Sequence, residues 1–341
     1  MVPLPRMLVL LVVVAAACST TDGIPRSDEV GGVSTAESSS AGEQLQVRTA
    51  EPAEIALITH GRTSDPYWRV VRRGAEDGAA SLNLSLTFSA PDSDDAAAMA
   101  QLVDEAVAAG PDGLVLSVPD QSILGPSLKA AVASGLPIIT INQGASASRE
   151  IGALAHIGQD PSQVGEGTGE WLAADGVTNV LCLEPVSIDD TGSAHCAGLT
   201  TALAAGGGTT ATMAVPDDSG VFVAALADRV VEEEGLAGVI APNPAAVPLV
   251  LEALDRVERS DLQVVVFGLD DEVLDLIRQQ RVNLAVDDQQ YLQGYLSVVL
   301  LDRYLATGLA PGAGTLVASG PGFVTSENVD AVINSRREGL R

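Results

Sequence analysis

Two adjacent aromatic residues, Tyr67 and Trp68, follow a polar loop at the start of a predicted helix. Residues 55–58 are apolar and, with Thr59, predict a buried strand, and Pro66 marks the first turn of the helix. Loops between a strand and a helix are where open α/β sheets bind ligands. Aromatic residues make up only 3% of the chain, so we expect at least one ring to stack on a small ligand with an apolar face. The alternative is that both rings pack in the core between helix and sheet.

The charge of the chain argues against nucleic acid as a partner. Among 341 residues, 45 are acidic and 18 are Lys or Arg, which gives a formal net charge of −27. Binding to a phosphate backbone requires a basic face. Such a charge also disfavours docking on an anionic membrane by electrostatics alone, and we expect it to favour solubility. The length and the 46% content of hydrophobic residues are sufficient for two domains.

The sequence lacks the short motifs of common catalytic sites. It contains no Gly-x-Ser-x-Gly elbow, no Walker loop, no His-Glu-x-x-His pair and no Gly-x-Gly-x-x-Gly after a strand. The glycines between residues 165 and 169 fall within a predicted helix. A metal site is not indicated, because the pair His195-Cys196 has no companions at ligand spacing. We therefore expect a protein that is not an enzyme and holds neither a cofactor nor a metal.

The N-terminus has the features of an export signal. Arg6 precedes an apolar run that ends at Cys18 and is too short to span a bilayer as a permanent helix. The run VAAAC resembles a bacterial lipobox, so we predict a signal peptide over residues 1–17 and a lipid anchor on Cys18. An ordinary Ala-x-Ala cleavage beside an incidental cysteine is the alternative. Residues 18–53 are rich in Ser, Thr, Gly and Glu and predict a disordered tether.

Two further cysteines, Cys182 and Cys196, remain in the mature chain. In an exported protein an even pair is expected to form a disulfide. Two free buried thiols are the main alternative. A bridge closing so short a loop would stabilise the fold by roughly 3 kcal/mol.

After the tether, short apolar runs alternate with helical patterns. Strands are predicted near residues 54–60, 84–89, 114–117 and 137–142, and again near 179–183, 210–215, 238–241, 263–268 and 283–286. Helices are predicted between them, one of which starts at Asp160-Pro161, a favourable capping pair. This alternation predicts an α/β protein with two doubly wound, Rossmann-like parallel sheets. The fold class alone does not specify a function.

A series of motifs in both halves carries a resemblance to a known family. In chain order they read SDPYW, PDGLVLS, GLPIITIN, HIGQD, VIAPNP, VVVFGLD and DDQQYLQGY. Over residues 54–333 the chain resembles the type I periplasmic binding proteins, in particular the ribose-binding-like group that serves sugar ABC importers. The resemblance implies two lobes joined by a hinge of three strands, with the ligand between them.

The resemblance also implies the lobe boundaries. The chain is expected to cross between lobes near residues 156–159, near Asp288 and near Leu316. The N-terminal lobe would then comprise residues 54–157 and 289–316. The C-terminal lobe would comprise residues 158–288 and 317–335.

Nine residues match positions that bind the ligand in this family. They are Asp65, Tyr67, Trp68, Asn142, Gln143, His195, Asn243, Asp270 and Asp288. Carboxylate and amide side chains can pair with neighbouring hydroxyl groups of a sugar, and aromatic rings can cover its apolar faces. Asp65 and Asp270 are also suited to cap the helices that follow them, and His195 is equally suited to a structural role at a helix start.

The departures from the family pattern bear on the ligand. Gln143 and His195 stand where the ribose-binding-like group usually has arginine, which disfavours ribose, sugar phosphates and sugar acids. The resemblance therefore implies a neutral sugar or polyol, with an amino sugar also open, and an ABC permease with its ATPase as partners. A sensory accessory for a sugar or an autoinducer-2-like ligand, acting with a receptor or sensor kinase, is the alternative. A sugar-responsive DNA-binding repressor of the same fold does not fit an export signal and an acidic linker.

Overall fold

The structure, a computed structural model, describes residues 52–93, 95–185, 191–312 and 314–341. The predicted signal peptide, the predicted lipidation site Cys18 and nearly all of the predicted tether lie outside these residues. Within these ranges, no helix combines the length and the apolar character needed to cross a membrane.

The described residues contain twelve strands that form two six-stranded sheets. The strands are β1 (Glu54–Ile58), β2 (Ser85–Ser89), β3 (Gly113–Leu116), β4 (Ile138–Ile141), β5 (Ala155–Gly158), β6 (Asn179–Pro185), β7 (Thr209–Val215), β8 (Gly238–Ala241), β9 (Gln263–Phe267), β10 (Leu284–Asp287), β11 (Leu316–Ala318) and β12 (Gly322–Val324). The first sheet has the order β11-β5-β4-β3-β1-β2, and the second has the order β12-β10-β9-β8-β6-β7.

Eleven α-helices in the same residues connect and cover the strands. They are α1 (Pro66–Leu82), α2 (Ala96–Ala109), α3 (Gln121–Ala133), α4 (Ala145–Ile151), α5 (Pro161–Ala174), α6 (Thr191–Ala205), α7 (Ser219–Glu232), α8 (Val247–Arg256), α9 (Asp271–Arg278), α10 (Gln290–Thr307) and α11 (Val329–Arg337). A 3-10 turn at Pro244–Ala246 precedes α8. The chain thus forms two α/β lobes, each with a sheet flanked by helices, as the sequence predicts.

The central strands are apolar because helices cover both of their faces. All residues of β3, β4, β8 and β10 are buried, as parallel strands require when neither face meets water. Among the strands that the structure describes, only β12 runs antiparallel to its neighbour, β10. The pattern of the sequence does not predict β5, β11, β12, α4 or α11, which are short elements with mixed composition.

The chain crosses between the two sheets three times, after β5, after β10 and after β11. The third crossing lies later than the sequence predicts. Val317 and Ala318 pair with Ile157 and Gly158 in β5, so both belong to the first sheet and not to the second lobe. The connection to the second sheet then runs through the cis peptide bond before Pro321.

Two helix pairs are packed without room for side chains between their backbones. In the first lobe α1 crosses α10, and a Cβ atom on Gly74 or Gly294 would overlap the carbonyl of Tyr291 or of Val71. In the second lobe α5 crosses α6 at Gly165 in the same manner. These close contacts fix the helices whose N-terminal ends carry Tyr67 and His195.

Cys182 on β6 and Cys196 on α6 are joined by a disulfide in the structure, with sulfur atoms 1.99 Å apart and Cα atoms 5.8 Å apart. Both residues are buried in the second lobe. The bridge therefore holds the start of α6 against the sheet.

Candidate functional site

Asp65 sets the entry into α1 and therefore the position of Tyr67. Its Oδ1 accepts a hydrogen bond of 2.8 Å from the backbone N–H of Tyr67, which is a helix-capping interaction. Pro66 occupies the first helical position, where its fixed φ suits the helix. The second carboxylate oxygen of Asp65 is not used by the cap, so capping and ligand contact are compatible at this residue.

The hydroxyl group of Tyr67 is the centre of a polar cluster. Its oxygen accepts hydrogen bonds from Asn142 Nδ2 at 2.6 Å and from Gln293 Nε2 at 3.3 Å. Burial, followed by the negative charge of Asp288, raises the pKa of Tyr67 well above its ordinary value, while the two amide donors act in the opposite direction. Tyr67 is therefore a neutral phenol at physiological pH, with part of its surface still exposed.

Asn142 is held at the end of β4 in an unusual backbone conformation. Its φ is 61°, in the left-handed region that few non-glycine residues adopt, and its backbone N–H donates to the carbonyl of Ile157 on β5. The next residue, Gln143, is half-buried, and its carbonyl accepts from the N–H of Val118. This loop thus directs the Asn142 amide toward Tyr67.

Trp68 packs into the core of the first lobe instead of presenting an open face. Its side chain is 4% exposed and belongs to the apolar cluster that includes Leu57, Val71 and Ile139. The ring makes edge contacts with Tyr67 and His60, with centroid distances of 5.0 and 4.6 Å. Trp68 therefore supports the two rings beside it. For this one aromatic residue, the structure agrees with the alternative of packing in the core.

Asp288 lies where the chain returns to the first lobe. Its backbone carbonyl accepts from Gln293 Nε2 at 3.2 Å and from Ser319 Oγ at 3.1 Å, so it links the second crossing to the third. The first crossing is also linked to the second, because Gln159 Nε2 donates a hydrogen bond of 3.2 Å to the carbonyl of Asp287. Burial, followed by the charge of Asp287, raises the pKa of the Asp288 carboxyl to about 7.

In the second lobe, Asn243, Asp270 and His195 lie near the ends of neighbouring strands. Asn243 caps the 3-10 turn after β8, and Asp270 caps α9 through a 2.8 Å bond to the N–H of Val273. The loops are adjacent, since a Cβ on Gly268 would lie 3.0 Å from Pro244. His195 on α6 stacks on Phe267 at the end of β9, with ring centroids 4.2 Å apart.

Helices from the two lobes border a common cavity of about 560 Å³, and none of the nine sequence-predicted residues lines it. Pro66 and Asp271, which follow Asp65 and Asp270, both line it. It also contains six arginines, from α1, α9 and the segment from α11 onward, namely Arg69, Arg73, Arg278, Arg336, Arg337 and Arg341. Four of these six are ion-paired with aspartates. The cavity shows that the start of α1 and the start of α9 lie near each other.

The structure adds two features that sequence reasoning did not assign to the site. Gln293 joins Tyr67 to Asp288, and the only signal for it is a glutamine on the buried face of the helix after the hinge, where it is 1% exposed. His60 follows β1 closely, with Nδ1 2.7 Å from Ser117 Oγ and its ring against Trp68. Both residues thus support the loop that carries Tyr67.

Comparison with known proteins agrees with this arrangement of lobes and strand ends. The model of the periplasmic binding protein domain matches residues 55–309. The chain belongs to the periplasmic binding protein family. No curated protein sequence matches this binding protein significantly.

Solved structures share the fold of this periplasmic binding protein. A carbohydrate transporter from Acidothermus cellulolyticus, in complex with myo-inositol, is 29% identical; the match covers 85% of this chain and 100% of that one, with a TM-score of 0.70. A periplasmic ribose ABC transporter protein from Conexibacter woesei is 20% identical, with coverage of 86% and 98% and a TM-score of 0.76. An arabinose-binding protein from Geobacillus stearothermophilus is 19% identical, with coverage of 82% and 99% and a TM-score of 0.71. The last two likenesses establish the fold alone.

Proposed function

We propose that the protein is an extracytoplasmic substrate-binding lipoprotein that captures a neutral sugar or polyol between its lobes and delivers it to an ABC importer permease. The observation that carries the proposal is the polar cluster of Tyr67, Asn142 and Gln293 next to the hinge carbonyl of Asp288. It combines hydrogen-bonding groups with a partly exposed aromatic ring at the carboxyl ends of strands, where open α/β sheets bind ligands.

The chemistry of the nine sequence-predicted residues supports an uncharged, hydroxyl-rich ligand. Apart from Trp68, which packs in the core, they supply carboxylates, amides, a phenol and an imidazole, and none of the nine is an arginine or a lysine. Carboxylates and amides suit vicinal hydroxyl groups, whereas phosphates and sugar acids are usually bound by guanidinium groups. The relative that was crystallised with myo-inositol, a neutral polyol, supports the same ligand class.

A thermal-shift screen tests the ligand. The full chain with Cys18→Ser is heated with myo-inositol, ribose, arabinose, galactose, tagatose or allose, and with glucose 6-phosphate and gluconate as anionic comparisons. A ligand present at 100 times its Kd stabilises the folded state by about 2.7 kcal/mol through mass action. We expect at least one neutral compound, and neither anion, to raise the Tm.

Matched variants locate the site. Tyr67→Phe removes one hydroxyl from the polar cluster, and Tyr304→Phe makes the same change near the far end of α10. We expect Tyr67→Phe to weaken binding of the active compound about tenfold and Tyr304→Phe to leave it unchanged. A screen without any shift, or equal effects of the two variants, would contradict the proposed binding site.

Separate experiments address the anchor and the transport role. Labelled palmitate should be incorporated into the wild-type chain and not into Cys18→Ser. Cells without the gene should lose uptake of the compound found in the screen. Normal uptake combined with a lost transcriptional response to that compound would instead favour the sensory alternative.

A further inference from the structure

The hydrogen-bond pattern at Tyr67 leaves its hydroxyl group only one role toward a ligand. A phenol oxygen has two lone pairs and one proton. Asn142 and Gln293 donate to the oxygen at 2.6 and 3.3 Å, which occupies both lone pairs. Among the described residues, no acceptor forms a hydrogen bond with the proton, so the hydroxyl group is free to donate it.

Gln293 is held in the orientation that this pattern requires. Its Nε2 also donates to the carbonyl of Asp288 at 3.2 Å, and a rotation of the amide by 180° would bring Oε1 against that carbonyl. The residue is 1% exposed, and it precedes Gly294, where α10 packs closely on α1. The Gln293 side chain is therefore both buried and oriented by the hinge.

We propose that Gln293 is a positioning residue that holds the Tyr67 hydroxyl as a hydrogen-bond donor toward the ligand and ties the ligand loop to the hinge at Asp288. The inference rests on the proposed function, because it concerns the same binding site. It joins residues 226 positions apart, since Tyr67 starts α1 and Gln293 lies in the first turns of α10.

A Tyr67 hydroxyl group held as a donor restricts which ligand atom can face it. The group opposite the Tyr67 hydroxyl must accept a hydrogen bond, so it is a hydroxyl, ring or carbonyl oxygen and not an ammonium group. A neutral sugar or polyol offers such an oxygen at every position, whereas an amino sugar would have to direct its ammonium group elsewhere. The donor role of the Tyr67 hydroxyl group therefore restricts both the orientation of the ligand in the site and its chemical class.

A double-mutant cycle tests the positioning role. Three variants of the full chain are compared: Gln293→Met, Tyr67→Phe and the double variant. Gln293→Met keeps the length of the side chain and removes both of its N–H donors. Affinity is measured by calorimetry with myo-inositol, or with the strongest binder of the screen if that is another compound. We expect each single change to weaken binding about tenfold and the double change to weaken it at most about twofold more.

The matched control is Gln290→Met on the same helix. Gln290 is 5% exposed, and no bond from its side chain reaches Tyr67 or Asp288. We expect this variant to retain wild-type affinity. Multiplying losses in the double variant, or an equal loss in Gln290→Met, would overturn the proposal.

Trp68 provides a readout that needs no ligand. Its ring contacts Tyr67 at 5.0 Å, and Trp171→Phe leaves it as the only tryptophan of the chain. In that background we expect Gln293→Met to increase quenching of Trp68 emission by acrylamide, because Tyr67 loses its anchor, and Gln290→Met to have no effect. Unchanged quenching in Gln293→Met would also overturn the proposal.

These readouts separate the two possible failures. If no compound of the screen binds, the proposed function fails, and the quenching comparison still decides whether Gln293 positions Tyr67. If Gln293→Met does not fold, Gln293→Glu keeps the shape of the side chain and replaces its donors with acceptors. It is then expected to show the same weaker binding and stronger quenching.

Discussion

The guanidinium group of Arg341 lies 3.0 Å from the carboxylate of Asp287 at the end of β10. Asp287 is fully buried, and Arg341 remains 30% exposed. Within the described part of the chain, Asp287 Oδ2 accepts no hydrogen bond, so its contact with Arg341 is an ion pair. Burial raises the pKa of Asp287, while a bond from the Gln289 N–H and the charge of Arg341 act in the opposite direction. Arg341 therefore neutralises a buried charge one residue before the second crossing.

Removing this partner is expected to destabilise the protein. Arg341→Met keeps part of the aliphatic stem and leaves the buried Asp287 carboxylate without its ion-pair partner, which should cost about 1–3 kcal/mol of unfolding free energy at pH 8. Urea denaturation measures the loss. Adding Asp287→Asn should restore most of it. The control Arg337→Met should lie within about 0.5 kcal/mol of wild type, because among the described residues its guanidinium has only a 3.5 Å contact with Asn334. An equal loss in both arginine variants would contradict the assignment.

The raised pKa of Asp288 predicts a pH-dependent effect of Asp288→Asn. The folded-state pKa of about 7 lies above the unfolded value near 3.9. Protonation therefore stabilises the native state fully below about pH 4, and this contribution is lost as pH rises through about 7. Relative to wild type, the variant should gain up to about 4 kcal/mol between pH 4 and pH 8. Thermal unfolding across this range measures the gain, and a difference that is constant with pH would contradict it.

The contact between α1 and α10 predicts that Gly294→Ala is destabilising. An added methyl group would overlap the Val71 carbonyl, so the helices must separate at a cost of about 1–3 kcal/mol or more. Gly167→Ala on α5 is the control, because its Cβ would meet its nearest neighbour, Phe323, at an ordinary 3.5 Å. That change should be neutral or stabilising by about 0.5–1 kcal/mol. Chemical denaturation measures both changes, and equal unfolding free energies of the two variants would contradict this prediction.

The bond between Cys182 and Cys196 predicts a redox-dependent stability. The cysteines are 14 residues apart, and opening a loop of this size should cost about 3 kcal/mol. Wild-type protein should therefore unfold at a lower temperature with a reducing agent, and the variant with both cysteines replaced by alanine should not respond to it. If the reducing agent leaves the wild-type transition unchanged, the bridge contributes nothing to stability.

The local patterns of the sequence determined most of the architecture. Apolar runs specified the covered strands, and pairs such as Asp65-Pro66 and Asp160-Pro161 marked the starts of α1 and α5. These signals are readable because strand burial and helix capping depend on residues only a few positions apart. The same information, with the family motifs, led to Tyr67, Asn142 and Asp288 as candidates for one site.

Only the tertiary structure decided how these candidates meet. In the structure Trp68 is buried and the third crossing follows Ala318. Gln293 contacts Tyr67, and Arg341 contacts Asp287. Each of these outcomes depends on the packing of elements far apart in the chain, such as α1 against α10. The periodicity of a segment shows that it has a buried face, but it contains no information on which distant side chain will lie opposite that face.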